Sequence, residues 1–152
     1  MNILAIDPGA SGGLAWNDVD GTVHAEPMPV GMTAQADKIR EIILSRATSD
    51  PINCVIEKVG SYVPGNSGPA AATFARHCGN LESILYCYGI STDQVSPQKW
   101  MKTLGPFPKD KKERKNAIKE KMGRLYPHLS VTLKIADALG LLTYATGSDN
   151  KS

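Results

Sequence analysis

The chain opens with three short runs whose apolar positions suit strands rather than helices. Asn2 to Ile6 is rich in Ile and Leu and is halted by Asp7-Pro8-Gly9. A brief apolar run ending in turn residues predicts a buried strand. Gly12 to Asn17 predicts a second strand, and Asp20-Gly21 is a hairpin signal. Thr22 to Glu26 alternates as a third strand, closed by Pro27 and Pro29. From Thr33 the period changes. Ala36, Ile39, Ile43 and Ala47 fall on one stripe of a helix running to Thr48, with Thr33 as candidate N-cap.

Asn53 to Glu57 is another short apolar strand ending in an acid, and Gly60 to Pro69 is a Gly, Ser and Pro-rich loop. Ala70 to Tyr88 predicts a long helix carrying small residues, and Ser91 to Val95 a fifth strand. Ser96-Pro97 starts a short helix, with Ser as N-cap and Pro in the first turn, broken by Gly105 to Pro108. Lys109 to Leu125 reads as a basic helix stopped by Pro127. Thr132 to Ala145 reads as a final helix with Gly147 as C-cap. The main elements run β-β-β-α-β-α-β-α-α. Hairpins force the first strands antiparallel, and helical crossovers force the later ones parallel. The expectation is a five-stranded mixed α/β sheet with helices on both faces, forming one domain over residues 1–147 with a loose tail at 148–152.

Three acids sit where apolar elements end or are interrupted. Asp7 ends the first strand, Glu57 ends the fourth, and Asp137 lies inside Ile135-Ala136-Asp137-Ala138-Leu139. Removing a lone carboxylate from water is costly, so acids in such places need partners. If strands one and four are neighbours, Asp7 and Glu57 stand side by side, and the last helix can bring Asp137 to them. Three converging carboxylates call for a cation, and hard oxygen donors select Mg²⁺ or Mn²⁺. Each acid also has a plain alternative: a turn before Pro8 for Asp7, pairing with Lys58 for Glu57, pairing with Lys134 for Asp137.

Composition narrows the partner. The net charge of +2 is unevenly spread: Lys99 to Arg124 holds ten basic and three acidic residues, so +7, and the remainder seven basic and twelve acidic, so −5. A basic block on an acidic chain suggests an anionic partner held at one place, though a solvated helix is the alternative. No apolar run approaches a membrane span, and the N-terminus lacks a basic leader, so a cytoplasmic protein, bacterial or in a phage-infected host, is expected. Cys54, Cys78 and Cys87 form no zinc pattern and read as buried free thiols.

Taken together, Asp7-Pro8-Gly9-x-Ser11-Gly12-Gly13, Ile56-Glu57-Lys58-Val59 and Ala136-Asp137-Ala138-Leu139 resemble three motifs of RuvC-type Holliday junction resolvases. Val95-Ser96-Pro97-Gln98-Lys99-Trp100 resembles the segment after their fifth strand. The resemblance spans nearly the whole chain and looks closest to phage-encoded members. It implies an RNase H-like fold, a homodimer, and Mg²⁺-dependent nicking of four-way DNA junctions, with Mn²⁺ as a substitute and two ions expected. It implies Asp7, Glu57 and Asp137 as catalytic metal ligands. It also implies basic residues on the scissile strand, for which Lys99, Lys111, Lys112, Arg114 and Lys115 are candidates, with Ser11 from the first motif. An aromatic beyond the second motif would meet opened base pairs, Tyr62 first and Phe74 second.

One position departs from the pattern. Where such proteins carry an acid or a His three residues before the final Asp, this chain has Lys134, on the same helix face as Asp137. A protonated Lys ligates no metal. The site then works with three carboxylates, holds one ion tightly, or leaves a junction binder with weak cleavage; reduced or altered activity is expected over none. The Ala70–Tyr88 helix is the expected dimer interface, unless its small residues pack on the sheet. Other readings are a nuclease of flaps, forks or structured RNA, and a sugar-kinase-type ATPase, for which 152 residues is too short.

Overall fold

The computed structural model describes residues 1–46, 50–60, 65 and 67–147. Among them, five strands form one sheet: β1 (Ile3–Asp7), β2 (Gly13–Asn17), β3 (Val23–Pro27), β4 (Asn53–Glu57) and β5 (Ser91–Val95). Its order is β3-β2-β1-β4-β5. The hairpins β1–β2 and β2–β3 are antiparallel, whereas β1–β4 and β4–β5 are parallel. The mixed sheet expected from hairpin and crossover lengths is therefore present, with β1 and β4 as neighbours.

Among the described residues, five helices cover it: α1 (Met32–Leu44), α2 (Gly68–Cys87), α3 (Pro97–Leu104), α4 (Lys111–Leu125) and α5 (Leu133–Thr146). Alternation along β1 divides the core in two. Ile3 and Ala5 join Trp100, Ile118 and Leu139 from α3, α4 and α5 on one face. Leu4 and Ile6 join Ile39 from α1 and Leu81 and Leu85 from α2 on the other. Successive strand side chains point to opposite faces, so one five-residue strand feeds both cores. Each fully buried aliphatic side chain contributes about 1.5–3 kcal/mol.

The short helix expected at Ser96-Pro97 is present as α3, with the Ser96 side chain accepting from the Lys99 amide at 3.2 Å. Several boundaries differ from expectation for local reasons. Asp110 caps α4, accepting from the Glu113 amide at 3.0 Å, so that helix starts at Lys111 rather than Lys109. Gly31, at φ 87°, precedes α1, which has no side-chain cap; Thr33 lies inside the helix. The buried stripe of α1 is Gln35, Ile39 and Ile42, rotated from the expected one, and the expected continuation to Ala47 and Thr48 falls outside the described residues. Gly147 closes α5 in the left-handed conformation, as its position suggested. The three thiols are free, but only Cys54 is buried, whereas Cys87 is exposed. Ala70 to Ala72 on α2 are exposed and do not pack on the sheet. Among the described residues, no helix is long and apolar enough to cross a membrane. The expected tail at 148–152 lies outside the described residues.

Candidate active site

Parallel pairing aligns Ile6 of β1 with Ile56 of β4. The next residue on each strand is an acid, so Asp7 and Glu57 emerge together at the C-terminal ends of adjacent strands. That edge is where open α/β sheets leave room for ligands. Asp137 arrives from α5, which lies across β1 and β2. Gly13 makes that crossing possible: a Cβ there would stand 2.6 Å from the Lys134 carbonyl oxygen. Gly12 is equally constrained, since its Cβ would stand 2.0 Å from the Asp7 carbonyl oxygen. The glycines of Asp7-Pro8-Gly9-x-Ser11-Gly12-Gly13 thus let backbone approach backbone around the first acid.

The three carboxylates are partly buried and feel one another. Asp7 is pushed from an ordinary 3.8 up to about 8, first by burial and then by Glu57 and Asp137, with Lys115 opposing. Burial raises Glu57 as well, opposed by a hydrogen bond from Trp100 and reinforced by Asp137. Burial raises Asp137, while Lys115 and Arg114 pull it down. The cations that act on this site therefore come from α4. Lys134 is exposed on α5, and among the described residues no ion pair joins it to Asp137. Leu133, one turn before Asp137, lines the adjoining cavity instead.

Trp100 is a contact that sequence reasoning left without a role. Its Nε1 donates to Glu57 Oε2 at 2.8 Å, and its side chain is fully buried. Gly140 admits the indole: a Cβ there would lie 2.6 Å from Trp100 Cζ3. One oxygen of Glu57 is thereby held, and the other is left for a ligand.

The remaining expected residues divide. Lys115 and Ser11 line the same cavity as Asp7 and Asp137. Phe74 lines it too, and a Cβ on Gly9 would stand 3.5 Å from its ring. Arg114 is partly buried and donates to the Lys109 carbonyl at 2.8 Å. Lys99, Lys111 and Lys112 are exposed and do not line the cavity. Tyr62 lies outside the described residues. Gln35 and His77 also line the cavity, and the sequence pattern singles out neither. The one signal for Gln35 is a polar residue on the buried stripe of α1.

The donor set suits a hard divalent cation: three carboxylates, partly desolvated, each raised in pKa and short of positive charge. Among the described residues, however, no three His, Cys, Asp or Glu side chains are closed into a ready ligand group. The acids share a field without yet forming a cage.

No protein-family profile matches the sequence, and no curated protein matches it. Solved structures do. RuvC of T. thermophilus in complex with Holliday junction substrate superposes with a TM-score of 0.60 at 14% identity, covering 100% of this chain and 97% of that one. The fold is that of RuvC. A second Thermus thermophilus RuvC structure gives a TM-score of 0.59 at 17% identity, with 98% of each chain covered. The superposition runs over nearly the full length of both chains. At such low identity the likeness concerns architecture, and the chemistry has to be argued from the side chains.

Proposed function

We infer that this chain is a metal-dependent endonuclease that resolves four-way DNA junctions. The observation that carries the reading is the meeting of Asp7 and Glu57 on neighbouring parallel strands, within the field of Asp137 and beside the cations of α4. Asp7, Glu57 and Asp137 would hold Mg²⁺, or Mn²⁺ in its place, with two ions expected. Such ions lower the pKa of a bound water and stabilise a leaving oxygen in phosphodiester hydrolysis. The protein's own contribution is positional. Trp100 orients Glu57, Lys115 neutralises the carboxylate cluster and draws in phosphate, and Arg114 adds charge behind Asp137. Lys99, Lys111 and Lys112, exposed on α3 and α4, extend that positive surface along the backbone of the DNA. Ser11 is proposed to contact DNA from the turn after Asp7.

A homodimer matches a two-fold junction with one active site per cut strand. The exposed small residues at the start of α2 leave a face on which a second copy can sit. The motif resemblance supports kinship with phage-encoded members and action inside the cell.

A second reading, a junction binder with weak cleavage, is favoured by one observation. Leu133 and Lys134 stand on the turn before Asp137, where no fourth ligand is offered. A labelled four-way junction incubated with Mg²⁺ or Mn²⁺ tests both readings, with Asp7→Asn as control. Paired nicks that vanish in the variant are expected. Binding without cutting in either metal leaves the binder, and equal cutting of flaps broadens the substrate to branched DNA generally.

A further inference from the structure

Helix α2 falls into two unlike halves. From Leu81 onward it is anchored, with Leu81, Ile84 and Leu85 buried in the same core as Leu4 and Ile6 of β1. No residue from Gly68 to Asn80 is buried. This first half is held by its own local bonds: Ser67 accepts from the Ala70 amide at 3.2 Å, and Thr73 donates to the Pro69 carbonyl at 3.0 Å. A helical stretch of that length without packing is marginal in water. Gly79 stands where the two halves meet. A Cβ there would meet nothing within 4 Å, so no close contact calls for glycine. Glycine inside a helix weakens it and permits a bend. Gly123 of α4 is equally open, but buried Ile118, Met122 and Tyr126 hold that helix on either side.

The free half is one wall of a cavity of about 980 Å³ whose lining also includes Asp7, Asp137 and Lys115. Ala70, Thr73, Phe74 and His77 line it, at spacings that put them on one side of the helix. Helix α1, which packs on α2, contributes Gln35 to the same lining. Each helix leaves one polar atom unsatisfied there. Among the described residues, Gln35 Oε1 and His77 Nε2 are shielded from solvent and have no hydrogen-bond partner. Gln35 is 6% exposed, and its Nε2 donates to the Pro29 carbonyl at 3.0 Å, so the atom left over is an acceptor. Burial holds the His77 imidazole below its ordinary range, and its neutral ring can carry a hydrogen on Nε2 and donate it. Shielded polar atoms without partners cost free energy. A donor and an acceptor in that state, on two packed helices, describe a bond that a small approach of α2 to α1 would complete. We propose that the first half of α2 is a hinged wall that turns at Gly79, and that a His77–Gln35 hydrogen bond latches it to α1 over the carboxylates. The occupant that draws the wall in rests on the nuclease reading above: it is the DNA strand being cut. Closure narrows the cavity, holds the strand and sheds water around the phosphate. One weak helix position and one hydrogen bond are of similar size, so both states are populated and a ligand can shift the balance.

The test is NMR relaxation dispersion on the full chain in EDTA, which detects exchange between two states on the timescale of such motions. Amides from Ala70 to Cys78 should share one exchange process that fades in Glu82 to Cys87. Gly79→Ala should cut the minor population roughly fivefold, the helix preference of Ala over Gly, while raising the melting temperature. A glycine needed only for packing would give the opposite change in melting. His77→Phe keeps a ring and removes the latch, so it should cut the minor population several-fold. If that variant fails to fold, Gly79→Ala decides alone. Adding a four-way junction should make the minor-state shifts the dominant ones, with the His77 hydrogen on Nε2. Flat dispersion in this stretch, or exchange that either folded variant leaves unchanged, overturns the hinged wall; a water bridging Gln35 and His77 would give the first result. A junction that binds without shifting the exchange overturns the coupling to DNA. A junction neither bound nor, in Mg²⁺, cut removes the nuclease reading, and the hinge then stands or falls on the free chain.

Discussion

Replacing Asp7 by Asn should stabilise the metal-free protein while abolishing its response to divalent cations. Asp7 in the folded chain ionises near pH 8 rather than 3.8. Between those values the native state binds a proton that the unfolded chain has released, so native stability falls as pH rises through the window. Each pH unit crossed in that window costs about 1.36 kcal/mol, which sets a ceiling near 6 kcal/mol once pH exceeds 8. Partial solvent access and relaxation around the carboxylate bring the expected cost to about 2 kcal/mol. Asn has nearly the same shape and no charge, so it removes this cost. In a chain of this size 1 kcal/mol moves the melting temperature by roughly 2–4 °C, so a gain of about 4–8 °C is expected near pH 8. The assay is thermal unfolding in EDTA across a pH series. The gap between variant and wild type should open as pH rises above about 4 and close in acid, where both states of the wild type are protonated. Added Mg²⁺ should then raise the melting temperature of the wild type and leave that of the variant unchanged. A variant that melts below wild type near pH 8, or a gap independent of pH, would show that the carboxylate is not under strain and refute the reasoning.

Further outcomes follow from single contacts. Trp100→Phe keeps the buried ring and removes the N–H that holds Glu57, so divalent-ion affinity measured by calorimetry should fall roughly tenfold, the equivalent of one charge-assisted hydrogen bond. Unchanged affinity would mean that the contact is packing alone. Gly140→Ala forces a methyl against the indole and should cost about 1–3 kcal/mol in urea unfolding; a neutral effect would show that α3 can shift away. Lys115→Ala should weaken junction binding and lower the slope of log affinity against log salt by about 1, and it should raise the carboxyl pKa values of Asp7 and Asp137 further, visible by NMR titration. An unchanged salt slope would place phosphate elsewhere.

The five strands and the helices covering both faces were legible in the sequence because each element carries a local signal. Short Ile and Leu runs stop at turn residues, Ser96-Pro97 opens a helix, and Gly147 closes one. Asp7 and Glu57 were legible for a related reason, since an acid at the end of a buried run is conspicuous by cost. The α1 stripe differs from its sequence pattern because the rotation of a helix depends on what it packs against, and Gln35 is buried there despite being polar. Lys134 draws attention by spacing alone, yet its side chain is exposed and the cations acting on Asp137 come from α4.

By itself the sequence determined the strands, the helices, and which acids had to find company, since hydrophobic period and desolvation cost are properties of a few consecutive residues. Only tertiary structure decided that company. Trp100 meets Glu57 across 43 positions of chain, Gly140 makes room for its indole, and Lys115 rather than Lys134 acts on the carboxylates. Such pairings depend on the angle and depth at which α3, α4 and α5 settle on the sheet. That geometry is a compromise among many weak packing contacts, no single one of which is written at a single place in the chain.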